Sequence, residues 1–209
     1  MCARCMEGCY LIAGLGNPGA AYVRTRHNAG FMVVEELAQR WGASWRMEDR
    51  FKARICLAAH EGLRCLLCQP CTYMNNSGEA VSAVVRYYQI GLDRLLVVVD
   101  DADLPLGELR IRPKGGTGGH HGLESVVQHL GTHDYARLRL GIGRRPETGR
   151  DITNHVLGAI SPEETPAFQG MVQRAADAAT CWLKDGIKTA MNRFNGPGAG
   201  SVPEQRKTE

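Results

Sequence analysis

The chain has 209 residues, of which 44% are hydrophobic, and a formal net charge of +3. These values predict one domain with its own core and exclude a generally polycationic protein. The sequence has no apolar run near the roughly 20 residues that a membrane helix needs, and its first ten residues lack the apolar core of a signal peptide. We therefore expect a cytoplasmic protein that does not contact membranes.

Apolar periodicity predicts the elements of the first half. Residues 10–13 form an apolar run before a glycine turn, which predicts a buried strand, and apolar residues recur at helical spacing over 31–41. Residues 54–59 and 63–68 flank a His-Glu-Gly turn and predict a hairpin. Ser77 is the predicted N-cap of a helix over 78–88.

In the second half, residues 95–99 are continuously apolar and end in two aspartates, which predicts a central strand with polar groups at its carboxyl end. Residues 109–112 and 138–142 alternate apolar residues with arginine, so we expect two half-exposed strands, with a helix over 123–130 between them. Ser161 and Glu164 predict a capping box, with Pro162 at the first helical position. The last helix is expected to reach about residue 184, with a second helical piece ending near Phe194.

These elements predict an α/β, single-domain, three-layer fold with a central mixed, largely parallel sheet flanked by helices. The domain is expected to cover residues 10–194. Residues 1–9 are a predicted flexible leader, and the glycine-, proline- and charge-rich residues 195–209 are a predicted disordered tail.

The eight cysteines are interpreted as reduced, because a domain of this size does not need disulfides in place of a core. Cys65, Cys68 and Cys71 are spaced like metal or iron–sulfur ligands. However, Leu66 and Leu67 indicate a buried strand, and such a site needs a fourth ligand at matching spacing. We therefore interpret these cysteines as small apolar residues and expect neither a metal nor a cofactor.

Positive charge is concentrated in one segment. Residues 104–150 contain eight basic and four acidic residues, so this segment carries +4 and the rest of the chain −1. A local basic surface beside a near-neutral body is suited to holding a polyanion at one place. The alternative is that the arginines only form the solvated face of the strands.

Two glycine-rich segments are candidates for nucleotide or phosphate sites. GLGNPG at 14–19 has the spacing of a dinucleotide fingerprint, but Pro18 and a polar stretch delay the helix that this fingerprint requires. The loop at 115–122 directly precedes a helix, so its backbone N–H groups are candidates for holding a phosphate or carboxylate. The alternative is a flexible connection.

The strongest chemical candidate is His27, in a short polar loop between an apolar strand and an amphipathic helix. Asp100 and Asp101 lie at the end of the central strand, where aspartates are often helix or turn caps, but an aspartate there is also well placed to orient a histidine. Asn17 and Asn75 lie in nearby loops and offer amide donors, although asparagine in a turn is often only a cap. A histidine beside a carboxylate, with amide donors nearby, is suited to activating water and stabilising an oxyanion.

Five segments taken in order, GLGNPG, TRHNAG, TYMNNSG, DDADLPLG and GGTGGHHGL, resemble those of the bacterial-type peptidyl-tRNA hydrolase family, and the match runs from about Tyr10 to Phe194. The resemblance implies a monomeric enzyme that hydrolyses the ester between a peptide and the 3′-terminal ribose of tRNA. It implies His27 as general base, Asp100 as the residue that holds it, and Asn17 as the amide that favours N-blocked substrates.

The same resemblance implies a second group of residues that bind the substrate or the acceptor end and stem of the tRNA. Asn75 contacts the substrate near the scissile ester, and Tyr22 and Tyr73 line the site. Basic residues meet the tRNA phosphates. The complete predicted set is Tyr22, Tyr73, Met74, Asn75, Gly118, His120, His121, Arg112, Lys114 and Arg139.

One position departs from the family pattern, which usually reads GGHNG where this chain has Gly119-His120-His121-Gly122. His121 replaces an amide by an imidazole, so we expect activity to persist and, if His121 must be neutral, to fall more steeply below neutral pH. The main alternative function is a non-catalytic, RNA-binding relative. A redox or metal protein built on the cysteines is a further alternative, which metal analysis of the purified protein distinguishes.

Overall fold

The computed structural model describes residues 8–143 and 152–197. Its helices and strands follow in the order β1 Tyr10–Gly14, α1 Ala29–Arg40, β2 Arg46–Glu48, β3 Ala53–His60, β4 Leu63–Pro70, α2 Ser77–Tyr88, β5 Leu95–Asp101, β6 Leu109–Arg112, α3 His121–Leu130, β7 Ala136–Gly141, α4 Ile152–Val156 and α5 Thr165–Phe194. Helices lie on both faces of one sheet, which confirms the predicted three-layer α/β fold.

The sheet has the strand order β2-β3-β4-β1-β5-β7-β6. Its four middle strands, β4, β1, β5 and β7, are parallel to one another, whereas the outer pairings are antiparallel. Helices α1 and α5 pack on one face, with Val34 and Ala175 fully buried there, and α2 and α3 pack on the other, with Val84 and Leu123. Because all residues of β5 are buried, both of its terminal aspartates end inside the protein.

The prediction that β7 is half-exposed is wrong. The strand lies between β5 and β6, and five of its six residues are buried. Arg137 is only 1% exposed, and its guanidinium donates to the carbonyls of Gly116 at 3.0 Å and His133 at 2.8 Å. These carbonyls replace water, so Arg137 ties the glycine-rich loop to the sheet and does not contribute to a basic surface.

Two predicted helix starts are also corrected. Helix α2 begins at Ser77, which makes no capping hydrogen bond, because the 3-10 turn Met74–Asn76 runs directly into the helix. Ser161 and Glu164 do form the reciprocal capping box, with N···O distances of 3.2 and 3.3 Å. Helix α5 nevertheless begins later, at Thr165, with a proline in its first turn, and it breaks at Gly186 before ending at the predicted Phe194.

Packing at the two ends of the domain extends slightly past the predicted boundaries. Cys9, at the end of the predicted leader, is 1% exposed. Asn195 accepts a hydrogen bond from the Ile111 amide at 2.6 Å, and Gly196 pairs with Leu109. Both residues belong to the predicted tail, so its first two positions are part of the packed domain. Residues 1–7 of the leader and 198–209 of the tail lie outside the described residues.

The cysteine interpretation agrees with the structure where it is described. Cys65 and Cys68 are fully buried in β4, burial raises the pKa of each thiol, and all six described cysteines are free. Thiols of this kind are poor metal ligands, because the thiolate is the form that binds metal. Cys2 and Cys5 lie outside the described residues.

Close contact between α2 and α3 leads to a stability prediction. A Cβ atom on Gly78 would lie 2.0 Å from the Ser125 carbonyl oxygen, so Gly78→Ala is expected to destabilise the protein by about 3 kcal/mol or more. The matched control is Gly170→Ala, at an exposed position of α5 with no atom within 4 Å. This change is expected to stabilise the protein by up to about 1 kcal/mol. Urea unfolding measures both effects, and equal effects would contradict the packing described.

Candidate active site

Polar residues from several loops meet at the carboxyl end of the parallel strands. A cleft of about 570 Å³ is lined there by ten of the residues selected from the sequence: Asn17, His27, Tyr73, Met74, Asn75, Asp100, Gly118, His120, His121 and Arg139. Tyr22 does not line this cleft, although its carbonyl accepts from the Thr25 hydroxyl at 2.8 Å in the loop before His27. Arg112 and Lys114 are exposed outside the cleft. The predicted set therefore divides into ten residues that line the cleft and three that do not.

Asp100 is the centre of the cleft's polar network. Its carboxylate is 2% exposed, and the same oxygen, Oδ1, lies 2.8 Å from His27 Nδ1 and 3.1 Å from His120 Nε2. The two rings face the carboxylate from different elements, His27 from the 3-10 turn before α1 and His120 from the residue before α3. The predicted pairing of His27 with Asp100 is thus present, and a second histidine shares the carboxylate.

The hydrogen bonds of His120 determine its tautomer. Its Nδ1 accepts from the backbone N–H groups of Gly122 at 3.1 Å and Leu123 at 3.3 Å, so it carries no hydrogen. The hydrogen is therefore on Nε2 and is donated to Asp100. His27 donates to the same carboxylate from Nδ1, which leaves its Nε2 as a free acceptor. A neutral His27 in this tautomer can take a proton from a bound water.

Two donors on one carboxylate oxygen keep Asp100 ionised. Burial by itself raises the pKa of this carboxyl, but the hydrogen bonds from His120 and His27 outweigh burial and bring the pKa well below its usual range. Asp100 therefore stays negative at neutral pH. A fixed negative charge on the far side of His27 stabilises the imidazolium that forms when this ring takes up a proton.

His27, Asp100 and His120 are also close enough to be considered as metal ligands, since their ligand atoms lie within 4.8 Å of one another. A histidine that binds a metal through one nitrogen normally donates its other N–H to an acceptor. His120 does the opposite, because its Nδ1 accepts two backbone N–H groups. The cluster is therefore better suited to hydrogen bonding than to holding a cation.

The same two hydrogen bonds correct a suggestion made from the sequence. Gly122 and Leu123 supply N–H groups at the N-terminus of α3, where the sequence predicts a candidate anion site in the glycine-rich loop. Both groups donate to the ring of His120, and the N–H of Glu124 donates to the His120 carbonyl at 3.0 Å. These three donors are occupied, so the N-terminus of α3 orients His120 instead of offering them to a phosphate.

Asn17 is held in place by a closed set of hydrogen bonds. Its backbone N–H donates to Asn28 Oδ1 at 2.8 Å, and Asn28 Nδ2 donates back to the Asn17 carbonyl at 3.0 Å. Its side-chain oxygen accepts from the Met74 amide at 2.8 Å. The remaining Nδ2 group of Asn17 is therefore the donor available to the cleft. Asn28 was missed from the sequence, although it directly follows His27 in the same motif.

Apolar residues of the cleft lining were also missed. Val156 at the end of α4, the next residue Leu157, and Ala102 line the cleft. Leu157 is 37% exposed. The sequence offered no clear signal for these residues, because five residues of α4 are too few to show a helical period. The cleft is thus lined by apolar as well as polar side chains.

Comparison with known proteins shows the family of this chain. The peptidyl-tRNA hydrolase family model matches residues 11–204. A peptidyl-tRNA hydrolase of Synechococcus sp. (strain JA-3-3Ab) is 50% identical over 88% of this chain and 82% of its own length. That of Gloeobacter violaceus is 44% identical over 93% and 98%. The chain belongs to the peptidyl-tRNA hydrolase family.

A solved structure of this family confirms the fold assignment. The peptidyl-tRNA hydrolase of Acinetobacter baumannii superposes with a TM-score of 0.85 at 36% identity, covering 92% of this chain and 97% of the other. In the described part of the chain, no helix has both the length and the apolar character needed to cross a bilayer. The family resemblance found in the five sequence segments is therefore confirmed over the whole domain.

His121, where this chain departs from the family pattern, has a side chain that is 75% exposed at the rim of the cleft. Its Nδ1 lies 3.1 Å from Glu124 Oε2. His121→Asn is expected to change kcat/KM at neutral pH by at most about fivefold, because an exposed pair contributes little.

Below neutral pH, His121→Asn is expected to lose activity less steeply than the unchanged protein, since an amide does not titrate there. The pH–rate profile of kcat/KM measures this difference. Glu124→Gln is the matched control, because it removes the partner and keeps the imidazole. If the profiles of His121→Asn and the unchanged protein superpose after scaling, His121 has no part in the pH dependence.

Proposed function

We propose that this protein hydrolyses the ester that joins the terminal carboxyl of a peptide to the 3′-terminal ribose of tRNA. The observation that carries the proposal is the Asp100–His27 pair, which leaves His27 Nε2 as a free acceptor in the cleft. Membership of the peptidyl-tRNA hydrolase family supports the same substrate. The reaction would rescue tRNA from aborted translation, and we infer that it takes place in the cytoplasm, by a monomer.

In the proposed mechanism, His27 takes a proton from water as the water oxygen attacks the ester carbonyl carbon. The carbonyl oxygen becomes negatively charged. The amide groups of Asn17 and Asn75, which line the cleft, are the proposed hydrogen-bond donors to this oxygen. The tetrahedral intermediate then collapses, the bond to the ribose 3′-oxygen breaks, and the His27 imidazolium returns its proton to that oxygen. Asp100 stabilises the imidazolium throughout. No step needs a metal or organic cofactor.

Substrate recognition is proposed to use both the cleft and the nearby surface. Tyr73 is 59% exposed at the cleft, so it can stack on a terminal base. Met74, Gly118, His120 and His121 form the adjoining wall, and Tyr22 remains a proposed contact from the loop before His27. Arg139, Arg112 and Lys114 are proposed to meet tRNA phosphates, which supply affinity without sequence choice.

Asn17 is proposed to favour substrates whose amino group is blocked. The Oδ1 atom of Asn17 is already used by the Met74 amide, so the side chain presents a donor to the cleft. A donor suits the carbonyl oxygen of an N-acyl group and is poorly matched to a free ammonium, which has only donors itself. Free aminoacyl-tRNA is therefore expected to be a poor substrate.

The deciding experiment incubates the purified protein with N-acetylaminoacyl-tRNA and with free aminoacyl-tRNA. We expect the blocked substrate to be cleaved at least about a hundredfold faster. A polar site group that pairs with one substrate and is left unpaired by the other typically discriminates by at least this ratio. Cleavage of neither substrate, with tRNA still bound, would overturn the proposal and favour the alternative of a non-catalytic RNA-binding protein. Equal cleavage of both would overturn the role of Asn17.

A further inference from the structure

Asp101 is the second buried carboxylate at the end of β5 and has no part in the mechanism above. It is 6% exposed, and its Oδ1 accepts from the backbone N–H of Asp103 at 3.0 Å. Its other oxygen, Oδ2, lies 2.9 Å from Nε of Arg139 on the neighbouring strand β7. A carboxylate held by a backbone amide on one side is a fixed anchor for a guanidinium on the other.

The sheet register explains why these two side chains meet. Val99 of β5 pairs with Arg139 of β7, and Asp101 pairs with Gly141 two residues later. Side chains alternate along a strand and paired residues share a face, so Asp101 and Arg139 lie on the same face of the sheet. Asp100 points to the other face, toward His27. The end of β5 therefore supplies one carboxylate to each side.

Arg139 forms an ion pair with Asp101 through Nε, without the geometry of a hydrogen bond, and the two terminal nitrogens of its guanidinium are left for other partners. The side chain is 24% exposed and lines the catalytic cleft. One terminal nitrogen packs so closely on the glycine-rich loop that a Cβ atom on Gly118 would lie 3.0 Å from it. The missing side chain at Gly118, where φ is +60°, makes room for the guanidinium at the cleft wall.

We propose that Asp101 is a positioning residue that fixes the guanidinium of Arg139 so that its terminal N–H groups bind a phosphate of the tRNA substrate. The inference rests on the proposed function, in which Arg139 meets tRNA. A guanidinium fixed in one orientation loses less conformational freedom when it binds a phosphate with two parallel hydrogen bonds. Asp100 would then position the general base His27, and the adjacent Asp101 would position the phosphate contact Arg139.

A purely electrostatic role predicts the opposite result, which makes the inference testable. If Asp101 only offset the charge of Arg139, its removal would increase the local positive potential and tighten tRNA binding. If Asp101 positions Arg139, its removal weakens binding. Asp101→Asn keeps the size of the side chain and removes the charge, so the direction of the change in KM separates the two roles.

The experiment is a double-mutant cycle with Asp101→Asn and Arg139→Gln, measured as kcat and KM on N-acetylaminoacyl-tRNA. Asp101→Asn is expected to raise KM about five- to tenfold with a much smaller effect on kcat, because the contact is made equally in the ground and transition states. In the Arg139→Gln background, Asp101→Asn should have no further effect on KM. Additive effects, or a lower KM for Asp101→Asn, would overturn the inference.

Arg112→Gln is the matched control, because Arg112 is an exposed arginine on β6 whose guanidinium donates to its neighbour Ile111 at 3.2 Å. Its effect on KM should add to that of Asp101→Asn. If Asp101→Asn does not fold, Arg139→Lys tests the same point, since lysine keeps the charge and lacks the planar fork. A KM for Arg139→Lys equal to that of the unchanged protein would overturn the inference.

Binding of uncharged tRNA, followed by fluorescence anisotropy, separates this inference from the proposed function. The same cycle can be measured as Kd, without any hydrolysis. A protein that binds tRNA with non-additive Asp101 and Arg139 effects but cleaves no ester would contradict the proposed function and retain the inference. A protein that cleaves the ester but shows additive effects of the Asp101 and Arg139 variants on Kd would support the proposed function and contradict the inference.

Discussion

Replacing His27 by glutamine is expected to lower kcat on N-acetylaminoacyl-tRNA by about 10²- to 10⁴-fold, the range that a general base contributes. The physical reason is the free Nε2 acceptor, which His27 keeps because Nδ1 donates to Asp100. Glutamine fills similar space and offers a carbonyl oxygen, but that oxygen cannot hold a proton at neutral pH. Single-turnover cleavage with enzyme in excess measures the chemical step directly.

His60→Gln is the matched control for this variant. His60 is half-buried at the end of β3, where its ring stacks on Trp41 at 5.2 Å, and it does not line the catalytic cleft. We expect its kcat to equal that of the unchanged protein. Binding of uncharged tRNA should be retained in both variants. A His27→Gln protein that cleaves at the unchanged rate would contradict the assignment of the base.

Asp100→Asn is expected to lower kcat by about 10²- to 10⁴-fold, because an amide no longer stabilises the His27 imidazolium by charge. It should also destabilise the fold at neutral pH by about 2 kcal/mol, since two hydrogen bonds to a buried charged group are weakened. Urea unfolding across a pH series measures the second effect. Asp177→Asn is the control, because Asp177 is 58% exposed and its pair with Arg40 is expected to contribute less than about 1 kcal/mol.

The pH dependence of this stability difference has a definite sign. The pKa of Asp100 is lower in the folded protein than in the unfolded chain, so its stabilising contribution is complete above the unfolded value of about 4. The contribution is lost as the pH falls from there toward the folded value. The difference between the unchanged protein and Asp100→Asn should therefore be constant near neutral pH and shrink in acid. A difference that grows in acid would contradict the depressed pKa.

Local pattern and sheet geometry predict that an aspartate at the end of β5 lies near His27, and the family resemblance selects Asp100 over Asp101. The continuous apolar run before Asp100 indicates a buried strand, and parallel strands carry polar loops at one shared edge. His27 follows the first strand, which is the neighbour of β5. The order of the family motifs also selects Asn17 and Asn75, which lie in loops at the same edge of the sheet.

Tertiary contacts explain what the sequence patterns could not show. The alternation in β7 predicted a half-exposed strand, but β6 precedes β7 in the chain and still lies outside it in the sheet. Arg137 is therefore buried, and backbone carbonyls of a distant loop satisfy it. The role of His120 depends on two backbone N–H groups at the start of α3, which determine the tautomer of its ring. The spacing of residues in the sequence does not predict these hydrogen bonds. Short elements such as β2 and α4 have no measurable period.

Chemical rescue tests the central claim most directly, namely that the His27 imidazole is the base that activates water. His27→Ala leaves a space at the cleft, where the native ring is 12% exposed, so free imidazole can occupy it beside Asp100. We predict that added imidazole increases the single-turnover rate of His27→Ala in proportion to the concentration of its neutral form. A rate that stays flat, or that follows the protonated form, would contradict the claim.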